Sequence, residues 1–402
     1  MRTYLDHAAS TPVRESARDA FLSALAVAGN PSSVHRDGQA AKAIVEDARA
    51  RVAQVFSCDP IEVVFTSGGT ESVNLGLTGL YRSRLGAGSM DGGSGDSLPP
   101  LNRVVVPEAE HHATLDTVFS LEKEGAVIEW IPVDGDGLID SHAWQAALAR
   151  SPETIAVASA IAANNEVGTI QNWRELAQMS ADSGVPFHLD ASAAAGHLDL
   201  SLRPATAVSM TGHKIGSVPG VGVLLVDRAS APQAIIHGGG QQRGLRSGTM
   251  DAPAAASFAV ALEEVERERV REAARLASLR DDAIVRIQHA VPSAVLRGTR
   301  DNRLDNNINF TFPGCQSDSL LFLLDEQGIS VSTGSACQAG VAQPSHVLLA
   351  MGLSEADAHS ALRITLGHTT TEADLDRLVE ALPGVYERAL RAGLTSDVRP
   401  AN

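Results

Sequence analysis

Short apolar runs alternate with amphipathic segments through the first two thirds of the chain. The apolar runs are strand-length and nearly continuous, at residues 61–66, 103–106, 127–131, 154–159, 186–189 and 221–226. The segments around them have apolar positions at helical spacing, at residues 15–28, 39–56, from about 73, 113–124, 141–150 and 173–183. Strands without polar alternation are buried on both faces. The pattern therefore predicts a mostly parallel α/β sheet that helices cover on both sides.

A long charged helical segment at residues 253–289 precedes a different pattern. There the strand-like runs fall at residues 294–297, 307–312, 329–332 and 362–366, with helical segments at 317–327 and from 372. This order predicts a second, smaller α+β domain. The Gly/Ser/Asp/Pro-rich stretch 86–100 is predicted to be a flexible insertion. We expect disorder after about Gly393.

Composition narrows the class of protein. The chain has 402 residues, 44% of them hydrophobic, and a net charge of −16. No apolar run is long enough to cross a membrane, and the first residues lack the apolar core of a signal peptide. Three scattered cysteines are too few for a disulfide framework or a zinc site. We therefore expect a cytoplasmic protein that binds neither nucleic acid nor a membrane.

Three polar features follow predicted parallel strands. They are Glu110-His111-His112, the run Asn164-Asn165-Glu166-Val167-Gly168, and Asp190. Ligands of parallel sheets bind beyond the carboxyl ends of the strands. Each feature alone is also explained as a helix cap, a turn or a solvated acid. Their common position at one edge favours a shared site.

Residues 67–72, Ser-Gly-Gly-Thr-Glu-Ser, stand between a predicted strand and a predicted helix. Free backbone N–H groups, a helix dipole and hydroxyl side chains would suit a phosphate there. A tight turn with an N-cap is the alternative. Asn30, before Pro31, is biased to extended or turn geometry, so its amide either points into a site or belongs to a plain turn.

Two residues stand out as reactive groups. Lys214, one of three lysines in the chain, lies between glycines without an acidic neighbour, unlike Lys42 and Lys123. A lysine away from countercharge and water has a lowered pKa, as a Schiff-base lysine requires, although a surface or structural lysine remains the alternative. Cys337 lies among small residues, where it is either a reactive thiol or an incidental one. Arg363 could supply positive charge or bind a carboxylate.

Taken together, these motifs resemble the cysteine desulfurases, pyridoxal-phosphate enzymes of fold type I in the class V aminotransferase group. The resemblance covers nearly the whole chain and is closest to the group with a long catalytic loop. It rests on Tyr4-Leu5-Asp6-His7-Ala8-Ala9, Gly29-Asn30-Pro31, Thr66-Ser67-Gly68-Gly69-Thr70-Glu71-Ser72, Glu110-His111, Asn164-Asn165-Glu166-Val167-Gly168, Thr211-Gly212-His213-Lys214, His237-Gly238-Gly239-Gly240, Arg246-Ser247-Gly248-Thr249, Gly334-Ser335-Ala336-Cys337 and Leu362-Arg363.

The resemblance implies a large cofactor-binding domain at residues 13–258 with a seven-stranded sheet. Residues 1–12 and 259–402 would form the small domain that carries the cysteine loop. It also implies a homodimer that converts L-cysteine to L-alanine. The sulfur would be held as a persulfide and passed to an acceptor protein for iron–sulfur cluster assembly or thiolation.

The resemblance also assigns roles to single residues. Lys214 would carry pyridoxal phosphate and shuttle protons, Asp190 would pair with the ring nitrogen, and Cys337 would attack the substrate sulfur. His111 would stack on the ring and take part in proton transfer, and Asn165 would bond the ring hydroxyl and contact the substrate. The remaining roles are Gly69, Thr70, Thr211 and His213 at the phosphate, Thr249 reaching in from a second subunit, and Asn30 and Arg363 at the substrate carboxylate.

One position departs from the family pattern. Cysteine desulfurases usually have a glutamine three residues after the aspartate, which also bonds the ring hydroxyl, but this chain has Ala193. Losing one neutral hydrogen bond costs roughly 0.5–1.5 kcal/mol. The substitution leaves open a specialised paralogue or a cofactor-binding scaffold without turnover. Among enzymes, a selenocysteine lyase or another fold-type-I aminotransferase or lyase is the alternative.

Overall fold

The computed structural model describes residues 2–87, 101–334 and 343–396. Its largest element is a seven-stranded sheet. The strands of this sheet are β2 Val63–Thr66, β3 Arg103–Pro107, β4 Val127–Ile131, β5 Ile155–Ile161, β6 Phe187–Asp190, β7 Ala207–Thr211 and β8 Gly222–Val226. They lie side by side in the order β2-β8-β7-β6-β5-β3-β4. Only β8 pairs antiparallel with its neighbours, so the other strands run in one direction. The α/β architecture with a mostly parallel seven-stranded sheet is thereby confirmed.

The central strands are buried along their whole length. Every residue of β5, Ile-Ala-Val-Ala-Ser-Ala-Ile, is buried, as expected for a strand with helices on both faces. The helices of the first 290 residues are α1 Glu15–Leu25, α2 Arg36–Val55, α3 Gly69–Ala87, α4 His112–Lys123, α5 Ser141–Ala149, α6 Trp173–Asp182 and α7 Ala252–Ala290. Two separate apolar clusters that contain residues of these strands account for the core.

Helix α7 connects this sheet to the second part of the molecule. It is 39 residues long and begins where the Asp251 side chain accepts a hydrogen bond from the Ala254 N–H group. Its first half is rich in buried alanine, which lets it pack closely against α1 and α2. A division of the chain at residue 258 would cut this helix, so the domain boundary remains a prediction.

The second part holds two small sheets around their own apolar cluster. A three-stranded antiparallel sheet has the order β12-β10-β9, and β1 pairs parallel with β11. Leu5, next to β1, belongs to this cluster, so the first residues of the chain pack with the last third. The elements are β1 Thr3–Tyr4, β9 Val295–Leu296, β10 Asn307–Thr311, β11 Ile329–Ser330, β12 Ala361–Thr365, α8 Ser317–Glu326, α9 His346–Ala350, α10 Glu355–Ala358 and α11 Glu372–Ser396.

Several predicted boundaries are wrong. The strand expected from residue 61 begins at Val63, because Pro60–Glu62 form a capped 3₁₀ turn. Helix α3 begins at Gly69 rather than near residue 73, since the Gly68 carbonyl accepts the Ser72 N–H group. It continues to Ala87, and the rest of the predicted flexible insertion lies outside the described residues. Helix α11 continues past Gly393 to Ser396.

Candidate active site

A cavity of about 310 Å³ lies at the edge where the parallel strands of the large sheet end. The N-terminal segment, the last strand β12 and residues 332–334 close its other side. Most of the side chains singled out in the sequence line this one cavity: Gly69, Thr70, His111, Asn165, Asp190, Thr211, His213, Lys214 and Arg363. His111, Asn165 and Asp190, which the sequence places at one sheet edge, therefore line one cavity.

Lys214 ends a 3₁₀ turn, Gly212–Lys214, that directly follows β7. Burial disfavours its ammonium form and lowers the pKa of Lys214 to about 8, although the carboxylate of Asp190 raises it and Arg363 lowers it further. Near neutral pH a usable fraction of the amine is thus unprotonated. Lys42 and Lys123, by contrast, are exposed on helices α2 and α4.

Asp190 is the last residue of β6 and is buried. Its Oδ1 accepts the N–H group of Ser192 at 2.9 Å. Among the ion pairs of the described part of the chain, none involves Asp190. The carboxylate is therefore available to a cationic or N–H group in the cavity.

His111 both caps helix α4 and lines the cavity. Its Nδ1 accepts the Ala113 N–H group at 3.0 Å, so the neutral ring carries its proton on Nε2. Burial lowers the pKa of His111 and favours this neutral form. The preceding Glu110 is fully buried, accepts the Ile161 N–H group at 2.7 Å, and has a pKa raised to about 8 by burial.

The first turn of α3 forms one corner of the cavity. Gly69 and Thr70 start this helix, whose first N–H groups have no partner within the helix, and Thr211 and His213 face the same cavity. A Cβ atom at Gly69 would lie 2.9 Å from the Ser192 Oγ, so the position requires glycine unless Ser192 moves. N–H groups, hydroxyls and a helix N-terminus suit an anion such as phosphate.

Arg363 closes the cavity on the side of β12. Its guanidinium donates to the Asn165 carbonyl at 3.1 Å and to Asp6 Oδ1 at 2.9 Å. Its Nε is buried and has no hydrogen-bond partner among the described residues. The role of Asp6 was missed in the sequence, because the two partners are 357 residues apart and no local spacing connects them.

Two predicted residues are not brought to the cavity, and a third cannot be located because it is outside the described residues. Asn30 is exposed and its Oδ1 accepts the Ser32 N–H group at 2.9 Å, as in the turn alternative. Thr249 is also exposed and does not line the cavity of its own chain. Cys337 lies outside the described residues. The roles of these three residues remain predictions.

The two cysteines within the described ranges are in poor settings for a thiolate. Burial raises the pKa of Cys58 to about 11, and burial likewise raises the pKa of Cys315 to about 11. A thiol nucleophile is therefore not expected at either position. Among the described residues, no group of three or more His, Cys, Asp and Glu side chains is arranged to hold a metal ion.

The chain and its fold match a known family. Residues 3–378 match the family model of the class V aminotransferases, and the chain belongs to this family. It is 44% identical over 397 residues to an IscS-like cysteine desulfurase of Mycobacterium tuberculosis (strain ATCC 25618 / H37Rv), covering 98% of each chain. Within the class V aminotransferases it is thus a member of the cysteine desulfurases.

Solved structures agree with this placement. A NifS-like protein superposes with a TM-score of 0.86 at 29% identity, over 96% of this chain and 100% of that one. SspA in complex with cysteine superposes with a TM-score of 0.74 at 29% identity, over 90% of this chain and 98% of the other. The predicted family is confirmed. Enzymes of this family depend on pyridoxal phosphate.

Proposed function

We propose that this chain binds pyridoxal phosphate at Lys214 and converts L-cysteine to L-alanine, with the sulfur captured as a persulfide on Cys337. The observation that carries the proposal is the pairing of a half-buried lysine of lowered pKa with a buried carboxylate, Asp190, in one cavity. The helix N-terminus at Gly69 supplies an anion site in the same cavity.

The residues present fit this cofactor. The Lys214 amine would hold its aldehyde carbon, and the first turn of α3 with Thr211 and His213 would hold its phosphate. Asp190 would accept a hydrogen bond from the protonated ring nitrogen. The buried Ser192 Oγ, which has no hydrogen-bond partner among the described residues, is a further polar group at the cavity wall. When bound, the cofactor supplies an electron sink for the substrate carbons.

The remaining groups would bind the amino acid and move its protons. Arg363 would hold the substrate carboxylate together with Asn30, and Asn165 the ring hydroxyl. Because Asp6 already pairs with Arg363, the substrate carboxylate would share or displace that contact. The Lys214 amine, once free, would take the proton from Cα, and neutral His111 would present its Nε2–H group.

The sulfur step balances without an external oxidant. The Cys337 thiol loses its proton to become the nucleophile, and its sulfur forms a bond to the substrate sulfur. The substrate C–S bond breaks, and its electron pair goes to carbon, which takes up a proton to give alanine. The transferred sulfur remains as a persulfide on Cys337. A thiol acceptor on another protein could then attack the outer sulfur.

The pH dependence of cofactor attachment follows from the lysine. Since burial lowers the pKa of Lys214 to about 8, the unprotonated amine becomes the main form above that pH, rather than above about 10.4. We expect the rate at which cofactor-free protein becomes covalently loaded to rise with pH to a midpoint near 8. Visible absorbance after mixing with pyridoxal phosphate measures it. A midpoint near that of an ordinary lysine would contradict the assigned environment.

The reaction type is tested by its products. Cofactor-loaded protein incubated with L-cysteine should give alanine and protein-bound sulfur in equal amounts. A keto acid as the main product would show transamination instead. Release of alanine from selenocysteine at a higher kcat/KM than from cysteine would favour a selenocysteine lyase.

The oligomeric state, the cellular compartment and the sulfur acceptor are part of the same proposal. We propose a cytoplasmic homodimer in which the partner's copy of the exposed Thr249 completes the phosphate site. An acceptor protein of iron–sulfur assembly or thiolation would receive the sulfur. No helix in the described part of the chain is long and apolar enough to cross a membrane.

Dimerisation can be measured by sedimentation, and Thr249→Ala should then weaken cofactor retention without changing the dimer.

A further inference from the structure

The backbone of Glu166 is held from two sides. Glu166 follows Asn165 in the loop after β5 and is almost fully buried. Its N–H group donates to Asn164 Oδ1 at 2.9 Å, and its carbonyl accepts from Asn309 Nδ2 at 3.1 Å. Since Asn309 belongs to β10, these contacts fix Glu166 between the large sheet and the small three-stranded one. The position of its backbone is therefore set by both contacts.

The Glu166 carboxylate holds the chain just before helix α9. The Ser345 hydroxyl donates to Glu166 Oε2 at 2.5 Å and also accepts the Leu348 N–H group at 3.1 Å. Ser345 is buried as well. None of the ion pairs within the described ranges involves Glu166. A short hydrogen bond between a hydroxyl and a carboxylate is among the stronger kinds, so this contact anchors Ser345 firmly.

The same carboxylate lies against Gly334. A Cβ atom at Gly334 would stand 3.3 Å from Glu166 Oε2, and the backbone there has a φ of +83°, which favours glycine. The Gly334 N–H group donates to the Ser332 Oγ at 3.1 Å. Ser332 in turn exchanges two backbone hydrogen bonds with Arg363. Gly334 and Ser345, which flank residues 335–344, are therefore both next to one side chain, Ser345 through a hydrogen bond and Gly334 through proximity alone.

Chain length makes this arrangement relevant to Cys337. Cys337 is three residues after Gly334, and three extended residues span at most about 10 Å. Gly334 itself lines the cavity that contains Lys214. The position of Gly334 therefore limits how close the Cys337 thiol can come to the cavity.

We propose that Glu166 is a positioning residue for sulfur transfer, its carboxylate binding Ser345 and lying next to Gly334, the two described residues on either side of the segment that carries Cys337. Glu166 does not line the cavity, so it acts through Gly334 and Ser345. The inference rests on the proposed function. It adds to that function that Glu166 affects the transfer of sulfur to Cys337 and does not affect cofactor binding.

The test compares Glu166→Ala, Ser345→Ala and Ser345→Thr with the cofactor-loaded wild-type protein. The measured quantity is the rate at which persulfide appears on Cys337 in a single turnover, followed by mass spectrometry. Glu166→Ala should slow it at least about tenfold and Ser345→Ala several-fold, because each removes a charge-assisted hydrogen bond. Ser345→Thr, which keeps the hydroxyl, should recover most of the rate. Visible absorbance of the bound cofactor and the dissociation constant for L-cysteine should stay unchanged.

A matched control and a readout without turnover complete the design. Ser180→Ala removes another buried serine, which donates to the Leu176 carbonyl away from the cavity, and should leave the persulfide rate unchanged. In cofactor-free protein, Glu166→Ala should speed proteolytic cleavage between residues 334 and 345 by several-fold.

The outcomes separate this inference from the function. Persulfide rates equal to wild type in Glu166→Ala and Ser345→Ala would overturn the positioning role while leaving the desulfurase function intact. Loss of cofactor absorbance in parallel with the rate would also overturn it, since the effect would then be structural. If Glu166→Ala does not fold, the comparison of the persulfide rates of Ser345→Ala and Ser345→Thr tests the positioning role instead. A wild-type protein that forms no persulfide at all would instead contradict the proposed function.

Discussion

Replacing Lys214 with alanine is expected to abolish covalent attachment of the cofactor and to lower the rate of alanine formation by on the order of 10²- to 10⁴-fold. The reason is that the Lys214 amine has two proposed roles. It holds the aldehyde carbon, and it moves the proton at Cα. Its pKa is lowered to about 8, mainly by burial in the cavity and further by the positive charge of Arg363. Absorbance spectra of the purified variant and alanine release from L-cysteine measure the two effects separately.

Lys42 and Lys123 are matched controls for this substitution. Both are exposed on helices, so Lys42→Ala and Lys123→Ala should retain the visible absorbance and the rate of the wild-type protein. Adding a small primary amine should restore part of the proton transfer to Lys214→Ala without restoring the covalent link. A Lys214→Ala variant that formed alanine at the wild-type rate would remove the lysine from the mechanism.

Replacing Cys337 with alanine is expected to leave the bound cofactor intact while eliminating persulfide from the protein. Alanine formation from L-cysteine should fall by on the order of 10²-fold or more, because a tethered thiolate acts at a far higher effective concentration than free thiol in solution. Mass spectrometry of the whole protein after a single turnover measures the persulfide, and absorbance measures the cofactor.

Cys58→Ala is the control for the cysteine substitution. The thiol of Cys58 has a pKa raised to about 11 by burial and is therefore not expected to accept sulfur. This variant should form persulfide as the wild type does. If persulfide still formed in Cys337→Ala but no longer formed in Cys58→Ala, the nucleophile would be Cys58, and the role proposed for Cys337 would be wrong.

The sequence allowed the sheet and most of the cavity to be predicted for a simple physical reason. Strands buried on both faces have a continuous apolar pattern, and the polar residues that interrupt it must lie at strand ends. His111, Asn165 and Asp190 each follow such a strand, and β3, β5 and β6 are neighbours in the sheet. Parallel neighbours end at the same edge, so these side chains meet in one cavity.

Contacts between distant parts of the chain could not be predicted in this way. The pairing of Arg363 with Asp6, and of Glu166 with Ser345, depends on how the two sheets pack, which no local period encodes. The start of α3 at Gly69 was missed because glycine is a poor helix former by propensity. Here the close approach of Ser192 requires it in the first turn.

The Ala193 substitution is a case where the structure adds to the sequence. Ala193 lines the cavity, so the position that usually carries a glutamine does face the site. Asn165 lines the same cavity, and Ser192 beside Ala193 has a hydroxyl without a protein partner among the described residues. Ala193→Gln is the direct way to measure what the missing amide contributes to cofactor retention.

The central claim is that sulfur leaves L-cysteine and arrives on Cys337. The most direct measurement is peptide mass spectrometry of the cofactor-loaded protein after one turnover with L-cysteine, together with quantification of alanine. The account predicts one added sulfur atom on the peptide that contains Cys337 and an equal amount of alanine. Alanine or a keto acid formed with no sulfur on that peptide would contradict it.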